Sequence, residues 1–239
     1  MKSQDTIGRQ IQQKEVASMT KIKAVIFDMD GLMFDTETVY YKANQLTADK
    51  YDMDFTKETY MQYVGAGDDI YFAGLREQFK NHPHIETFLK ESTKKAEELL
   101  LKGQVDKKDG LIELLDYLTK EKIVCIVASS SHREMVDKLT QRLGVRKYFK
   151  EVVGGNEIPT AKPDPAIFEK AFAKTNLKNK EEALILEDSK NGILAAHRAG
   201  IPVILVPDLL EPDDEMKEKA VALKENLHQV IDYINEKNV

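Results

Sequence analysis

The sequence predicts an α/β fold, a doubly wound parallel sheet joined to a second, smaller all-helical domain. Three observations predict it. Short, continuous apolar runs recur along the chain, as expected of strands buried on both faces of a parallel sheet. Segments of helical periodicity separate most of these runs. One stretch of helix-like sequence, Glu37 to Lys102, interrupts the alternation after the first run.

The elements follow in order. Residues 1–19 are polar and aperiodic and read as an N-terminal extension, with Met19 directly before the first strand-like segment. Ala24 to Phe27 is the first strand and ends at Asp28. Ile123 to Ala128 is the second and ends at Ser129. A weaker run, Glu151 to Val153, stops at Gly154 and Gly155. Ala183 to Leu186 ends at Glu187 and Asp188, and Pro202 to Val206 ends at Pro207. Helices are predicted over Leu111–Lys120, Ser131–Leu143, Pro165–Thr175, Lys190–Ala199 and Asn226–Lys237. Gly200 is a C-terminal stop signal for the fourth of these. The charged run Glu211 to Lys219 reads as a solvated loop and helix face. The domain reading is therefore an extension at 1–19, a Rossmann-like core at 20–36 and 104–239, and a helical cap at 37–103.

Composition narrows the function. The 239 residues carry 35 Lys and Arg against 41 Asp and Glu, a formal net charge of -6. That balance argues against nucleic acid as a partner. The single cysteine, Cys125, excludes an intrachain disulfide and sits in an apolar run as a small buried hydrophobe. No run approaches the roughly 18 apolar residues of a membrane helix, and the N-terminus lacks the apolar core of a secretory signal. The expectation is a cytoplasmic protein that binds no membrane. No long apolar seam is visible, which points to a monomer.

Ligands of doubly wound sheets bind outside the carboxyl ends of the strands. There the chain places Asp28 and Asp30-Gly31, then Ser129-Ser130-Ser131, then Glu187-Asp188, with Lys162 in the loop after Gly155. Crowded carboxylates repel one another, and a divalent cation relieves this. Oxygen ligands without His or Cys companions favour Mg²⁺ over zinc. With the cation present, the site can hold phosphate, which Lys162 and the turn at Ser129 would neutralise and cradle. Asp28 then suits a nucleophile that forms an aspartyl-phosphate. Asp30 suits a general acid and base. Gly31 permits the bend that turns Asp30 back.

Each signal also has a plainer reading. An Asp-x-Asp-Gly run occurs in calcium loops, but Val39 stands where an EF hand needs Glu. Ser131 with Glu134 fits a capping box. Lys162 alone is an ordinary loop lysine, and Glu187-Asp188 alone is a helix cap. The order of all four at strand ends favours chemistry. Tyr40 and Tyr41 lie near the domain hinge, where they can line a substrate cavity.

Taken together, AVIFDMDGLMFDTE at 24–37, IVASSS at 126–131, AKPDPAIF at 161–168 and LEDSKNGILAAHRAG at 186–200 resemble the haloacid dehalogenase-like phosphohydrolases. The resemblance spans residues 22–237 and is nearest the β-phosphoglucomutase and sugar-phosphate phosphatase branch, which carries a helical cap. It implies Asp28 as nucleophile, Asp30 as general acid and base, and Ser129 and Lys162 as phosphate ligands, with Ser130 alongside. It implies Mg²⁺ on Asp28, the Asp30 carbonyl and Asp188, with Glu187 adjacent. Thr36 matches a hinge position. The family's dehalogenases lack the second aspartate, so Asp30 argues against dehalogenation. β-Phosphoglucomutases carry His where this chain has Tyr40, and a cap arginine where it reads Gly65-Ala66-Gly67-Asp68. The expectation is thus an Mg²⁺-dependent phosphatase for a small phosphorylated metabolite such as a sugar phosphate. A phosphosugar mutase and an idle phosphate-binding regulator are its rivals.

Overall fold

A computed structural model describes residues 20–65, 68–103 and 105–239. The extension at 1–19, the Ala66-Gly67 pair and Gln104 lie outside the described residues. Six parallel strands form the sheet: β1 Ala24–Phe27, β2 Val124–Ser129, β3 Glu151–Gly154, β4 Ala183–Glu187, β5 Val203–Leu205 and β6 Ala222–Leu223. Their order is β3-β2-β1-β4-β5-β6, so the winding reverses at β1 and opens a crevice there. Register holds Phe27 opposite Val127 on one side and Leu186 on the other. From that level β2 continues two residues to Ser129 and β4 one residue to Glu187.

Alternation along the strands divides the core between two faces. Val25, Phe27, Val127 and Leu186 point into one layer. It is covered by α5 Leu111–Lys120, α6 Arg133–Arg142 and α10 His228–Asn238. Ala24, Ile26, Ile126 and Ile185 point into the other, covered by α7 Ala166–Thr175, α8 Lys190–Ala199 and α9 Asp214–Lys219. Helix α9 lies in the charged run read as solvated, and it turns Met216 into this layer. Strand β6 has two residues, too few to leave a hydrophobic pattern. Cys125 is buried, and burial pushes its thiol up to about 12.

Between β1 and α5 the chain forms α1 Thr36–Lys50, α2 Lys57–Met61, α3 Asp68–Gln78 and α4 Ile85–Lys102. These helices bury a core of their own, including Met53, Phe55, Tyr60, Leu75 and Phe88. The two connections to the sheet domain pair with each other through a bridge between Phe34 and Lys107. The Asp35 N–H also donates to the Asp106 carbonyl at 2.9 Å. A crossing made of two paired backbones limits how the smaller domain can move.

Ile185 lies on a central strand with no exposed surface. Ile185→Ala is expected to cost about 2–5 kcal/mol of stability, read from the shift of the urea midpoint.

Candidate active site

The carboxyl ends of β1, β2 and β4 bring the sequence-predicted groups together. Asp28 follows β1, Ser129 ends β2 and Glu187 ends β4. The Asp28 backbone N–H donates to the Leu186 carbonyl at 3.0 Å and extends the pairing to the site itself.

Lys162 is the centre of charge. Its Nζ donates to Asp28 Oδ1 and to Glu187 Oε1, each at 2.5 Å. The side chains of Lys162, Asp28 and Glu187 are only 6%, 9% and 0% exposed. Nζ also lies 4.7 Å from the centre of the Phe168 ring. Lys162 is therefore not a solvated loop lysine. Burial acts to lower its pKa, but Asp28 and Glu187 outweigh this and raise it, so the ammonium stays charged. Asp28 is pushed up to about 8, chiefly by burial, with Glu187 and Asp30 adding to the rise against the pull of Lys162.

Glu187 is saturated with donors. Besides Lys162 it accepts the backbone N–H groups of Asp188 and Ser189, at 2.9 and 2.8 Å, and the Ser189 hydroxyl at 3.0 Å. Neither acid caps α8; the Ser189 hydroxyl does so, accepting from the Gly192 N–H. Gly192 is required because a Cβ there would stand 1.7 Å from Glu187 Oε1.

Asp30 is held by hydroxyls. Ser129 Oγ and Ser131 Oγ donate to its Oδ2 at 3.2 and 3.0 Å, and the Tyr40 hydroxyl approaches Oδ1 at 3.5 Å. The capping-box expectation for Ser131 fails. The N-cap of α6 is His132, with no side-chain cap bond. The Ser131 hydroxyl instead donates to the buried Asp30 carboxylate, an ionisable acceptor that makes a stronger hydrogen bond than a neutral one. Burial raises the pKa of Asp30, while the hydroxyls of Thr36, Ser131 and Ser129 oppose the rise. Thr36 is fully buried at the start of α1, and Ser130 is exposed just past the end of β2.

The smaller domain faces this cluster with α1. Glu37, Tyr40 and Asn44 recur at helical spacing. Glu37 accepts from the Tyr60 hydroxyl, and Asn44 Oδ1 accepts from the Tyr71 hydroxyl at 2.7 Å. Burial is the main cause that pushes Glu37 up to about 7. The two domains also touch directly, through Asn191 Nδ2 and the Gly65 carbonyl at 2.7 Å. The argument from a missing cap arginine cannot be placed, because Ala66, Gly67 and the Asp68 side chain lie outside the described residues.

Sequence reasoning passed over Ser131 as a partner of Asp30, and over Glu37 and Asp208. Asp208 carried a faint signal, an acid just past the end of an apolar run. A Cβ at Gly31 (φ +79°) would lie 2.4 Å from Asp188 Oδ2 and 3.1 Å from Asp208 Oδ2. Both acids thus press on the turn that carries Asp30.

Asp28, Glu187 and Asp188 each offer a carboxylate oxygen, and these atoms lie within 4.8 Å of one another. Asp188 Oδ1 is buried with no hydrogen-bond partner among the described residues. Such a donor set, all oxygen with one orphaned atom, fits a hard divalent cation.

A parallel α/β sheet with acids, one buried lysine and hydroxyls at its switch point defines a phosphate-handling enzyme. The chain belongs to the haloacid dehalogenase-like hydrolase family, whose model matches residues 25–206, and is a phosphoric monoester hydrolase. It is 33% identical over 184 residues to a phosphorylated carbohydrates phosphatase of Thermotoga maritima, an alignment covering 75% of this chain and 82% of that one. Among solved structures, CbbY from Rhodobacter sphaeroides in complex with phosphate superposes with a TM-score of 0.72 at 25% identity, over 87% of this chain and 96% of the other. A β-phosphoglucomutase from Clostridium difficile shares the fold, with a TM-score of 0.72 at 23% identity over 91% and 97% of the two chains. No helix among the described residues is long and apolar enough to cross a membrane.

Lys162→Met removes the counter-ion of two buried carboxylates, of which only Glu187 keeps other donors among the described residues. The variant is expected to lose more stability at pH 8 than at pH 5, where Asp28 takes up a proton instead. Urea unfolding at the two pH values measures the difference.

Proposed function

We propose that the protein is an Mg²⁺-dependent phosphatase that hydrolyses a small phosphate monoester, of the sugar-phosphate kind, through an aspartyl-phosphate on Asp28. The observation that carries this reading is the buried Lys162 clamped between Asp28 and Glu187 at a sheet edge. Two buried carboxylates outweigh the one ammonium, and a divalent cation bound beside them would reverse that balance and let Lys162 take a phosphate oxygen.

Asp28, Asp188 and the Asp30 carbonyl would hold Mg²⁺, with Glu187 beside them. When bound, Mg²⁺ supplies charge neutralisation for phosphate oxygens. Lys162 binds a phosphate oxygen, and Ser129 and the turn through Ser130 position the group. The Asp28 carboxylate attacks phosphorus in line with the leaving oxygen. Asp30, whose protonated form burial favours and whose carboxyl Ser129, Ser131 and Tyr40 steer, protonates that oxygen. As a carboxylate it then takes a proton from water, which attacks the phosphorus of the aspartyl-phosphate, breaks the P–O bond to Asp28 and releases phosphate.

Residues 37–103 act as the cap. Thr36 lies at its hinge, and Tyr40 with Glu37 and Tyr60 forms the wall that the leaving alcohol meets. Closing it excludes water until the alcohol has left. Hydrolysis is favoured over mutase chemistry by that wall, which offers hydroxyls and an acid to the alcohol. A second phosphate would meet Glu37 unfavourably. Partners are small phosphorylated metabolites, and no oligomeric contact enters the mechanism.

The test is phosphate release from β-glucose 1-phosphate, other hexose phosphates and phosphoglycolate, with Mg²⁺ and with chelator. Release is expected only with Mg²⁺, and Asp28→Asn is expected to remove nearly all of it while the fold persists. Release unaffected by the substitution would eliminate the covalent mechanism. Hexose phosphate isomerisation without release would establish the mutase.

A second expectation concerns pH. The Asp28 pKa rises from an ordinary 3.8 to about 8 on folding, so the metal-free protein loses stability as pH rises through that window. Mg²⁺ competes with protons for the same oxygens. The increase in melting temperature on adding Mg²⁺ is expected to be larger at pH 8 than at pH 5.5.

A further inference from the structure

Asp208 lies in the loop after β5, outside every motif that led to the site. Its side chain is 7% exposed. One oxygen, Oδ1, accepts from Lys108 Nζ at 2.5 Å. The other, Oδ2, is buried without a hydrogen-bond partner among the described residues. It approaches the Gly31 turn from the same side as the Asp188 carboxylate, whose Oδ1 is likewise orphaned. Two carboxylates are thus packed around one glycine, each keeping a buried oxygen unused. Repulsion between like charges and the loss of solvation both oppose such an arrangement. A donor between them removes both costs, and the water carried by a hard cation is such a donor. Mg²⁺ retains several of its waters when protein carboxylates bind it.

We propose that Asp208 is an outer member of the metal site, accepting through Oδ2 a hydrogen bond from a water on the cation held by Asp28 and Asp188. Lys108 is the positioning residue that fixes Asp208 from its other oxygen. Lys108 belongs to the connection that returns from the helical domain to the sheet, and its N–H donates to the Met33 carbonyl at 2.9 Å in the opposing connection. The outer shell of the metal site is thereby anchored to the hinge. This inference rests on the metal site of the proposed function but not on the identity of the ester.

The experiment is titration calorimetry of the metal-free, full-length protein with Mg²⁺ alone. Asp208→Asn, which keeps the shape and removes the charge, is expected to weaken Mg²⁺ binding by about 10–100-fold, the usual loss when an outer-shell partner is removed. Lys108→Met separates this from a purely structural ion pair. It unpairs Asp208 but leaves its carboxylate, and it is expected to bind Mg²⁺ at least as tightly as the unaltered protein. Melting temperatures of the metal-free variants check that each is folded. Equal affinity in Asp208→Asn and the unaltered protein would overturn the proposal. So would an equal weakening in both variants, which would make the ion pair rather than the carboxylate responsible. Phosphate release measured on the same samples keeps the two readings apart. Mg²⁺-dependent release with unchanged affinity in Asp208→Asn leaves the phosphatase standing and removes Asp208 from the site. Absence of Mg²⁺ binding by the unaltered protein would overturn both.

Discussion

Burial of like charge at one edge of the sheet is the constraint on which the rest of this structure depends. Asp28, Asp30, Glu187, Asp188 and Asp208 converge on the carboxyl ends of three strands, and a lone buried ammonium, Lys162, meets two of them directly. Desolvation raises the pKa of Asp28, Asp30 and Asp188 alike. The fold tolerates this because every other group nearby is committed. Glu187 is filled with donors, Asp30 is ringed by hydroxyls, and Asp208 is tied to Lys108. What remains uncompensated among the described residues is local: Thr36 Oγ1, Asp188 Oδ1 and Asp208 Oδ2 are buried without a hydrogen-bond partner.

The sheet supplies the rigidity this needs. The central strands are fully buried and paired on both sides, so the first residues beyond them inherit fixed positions. Asp28 is bonded to Leu186 as though β1 continued. The flexible turns come one step later. Gly31 gives the bend that returns Asp30, and Gly192 lets α8 approach Glu187. Side chains on rigid strand ends and backbone freedom at two glycines are complementary requirements of one site.

The helical domain is joined to that site by more than its hinge. Tyr40 reaches Asp30, and Gly65 receives a hydrogen bond from Asn191, three residues beyond Asp188. The loop that carries the acids therefore also touches the helical domain.

Much of this was legible in the chain itself. The apolar runs ending in Asp28, Ser129 and Glu187-Asp188 are local patterns, and a strand buried on both faces needs nothing beyond its own residues to announce itself. The helical insert was legible for the same reason, as an interruption in that alternation. Asp28, Asp30 and Asp188 fell in motifs because each sits at a fixed step from its strand. What the tertiary structure alone decided was partnership. Ser131 resembled a helix cap until the fold brought Asp30 within reach, because a hydroxyl near a helix start and one near a buried carboxylate have the same local sequence. Lys162 reads in the sequence as a phosphate ligand, but that Asp28 and Glu187 hold it buried between them is visible only in the fold. Asp208 and Lys108, a hundred residues apart, meet only because β5 lies beside β4 and the hinge crosses their ends. Local sequence sets backbone conformation and the side each residue faces. Which charge answers which is settled by distance in space, and only the packed sheet sets that distance.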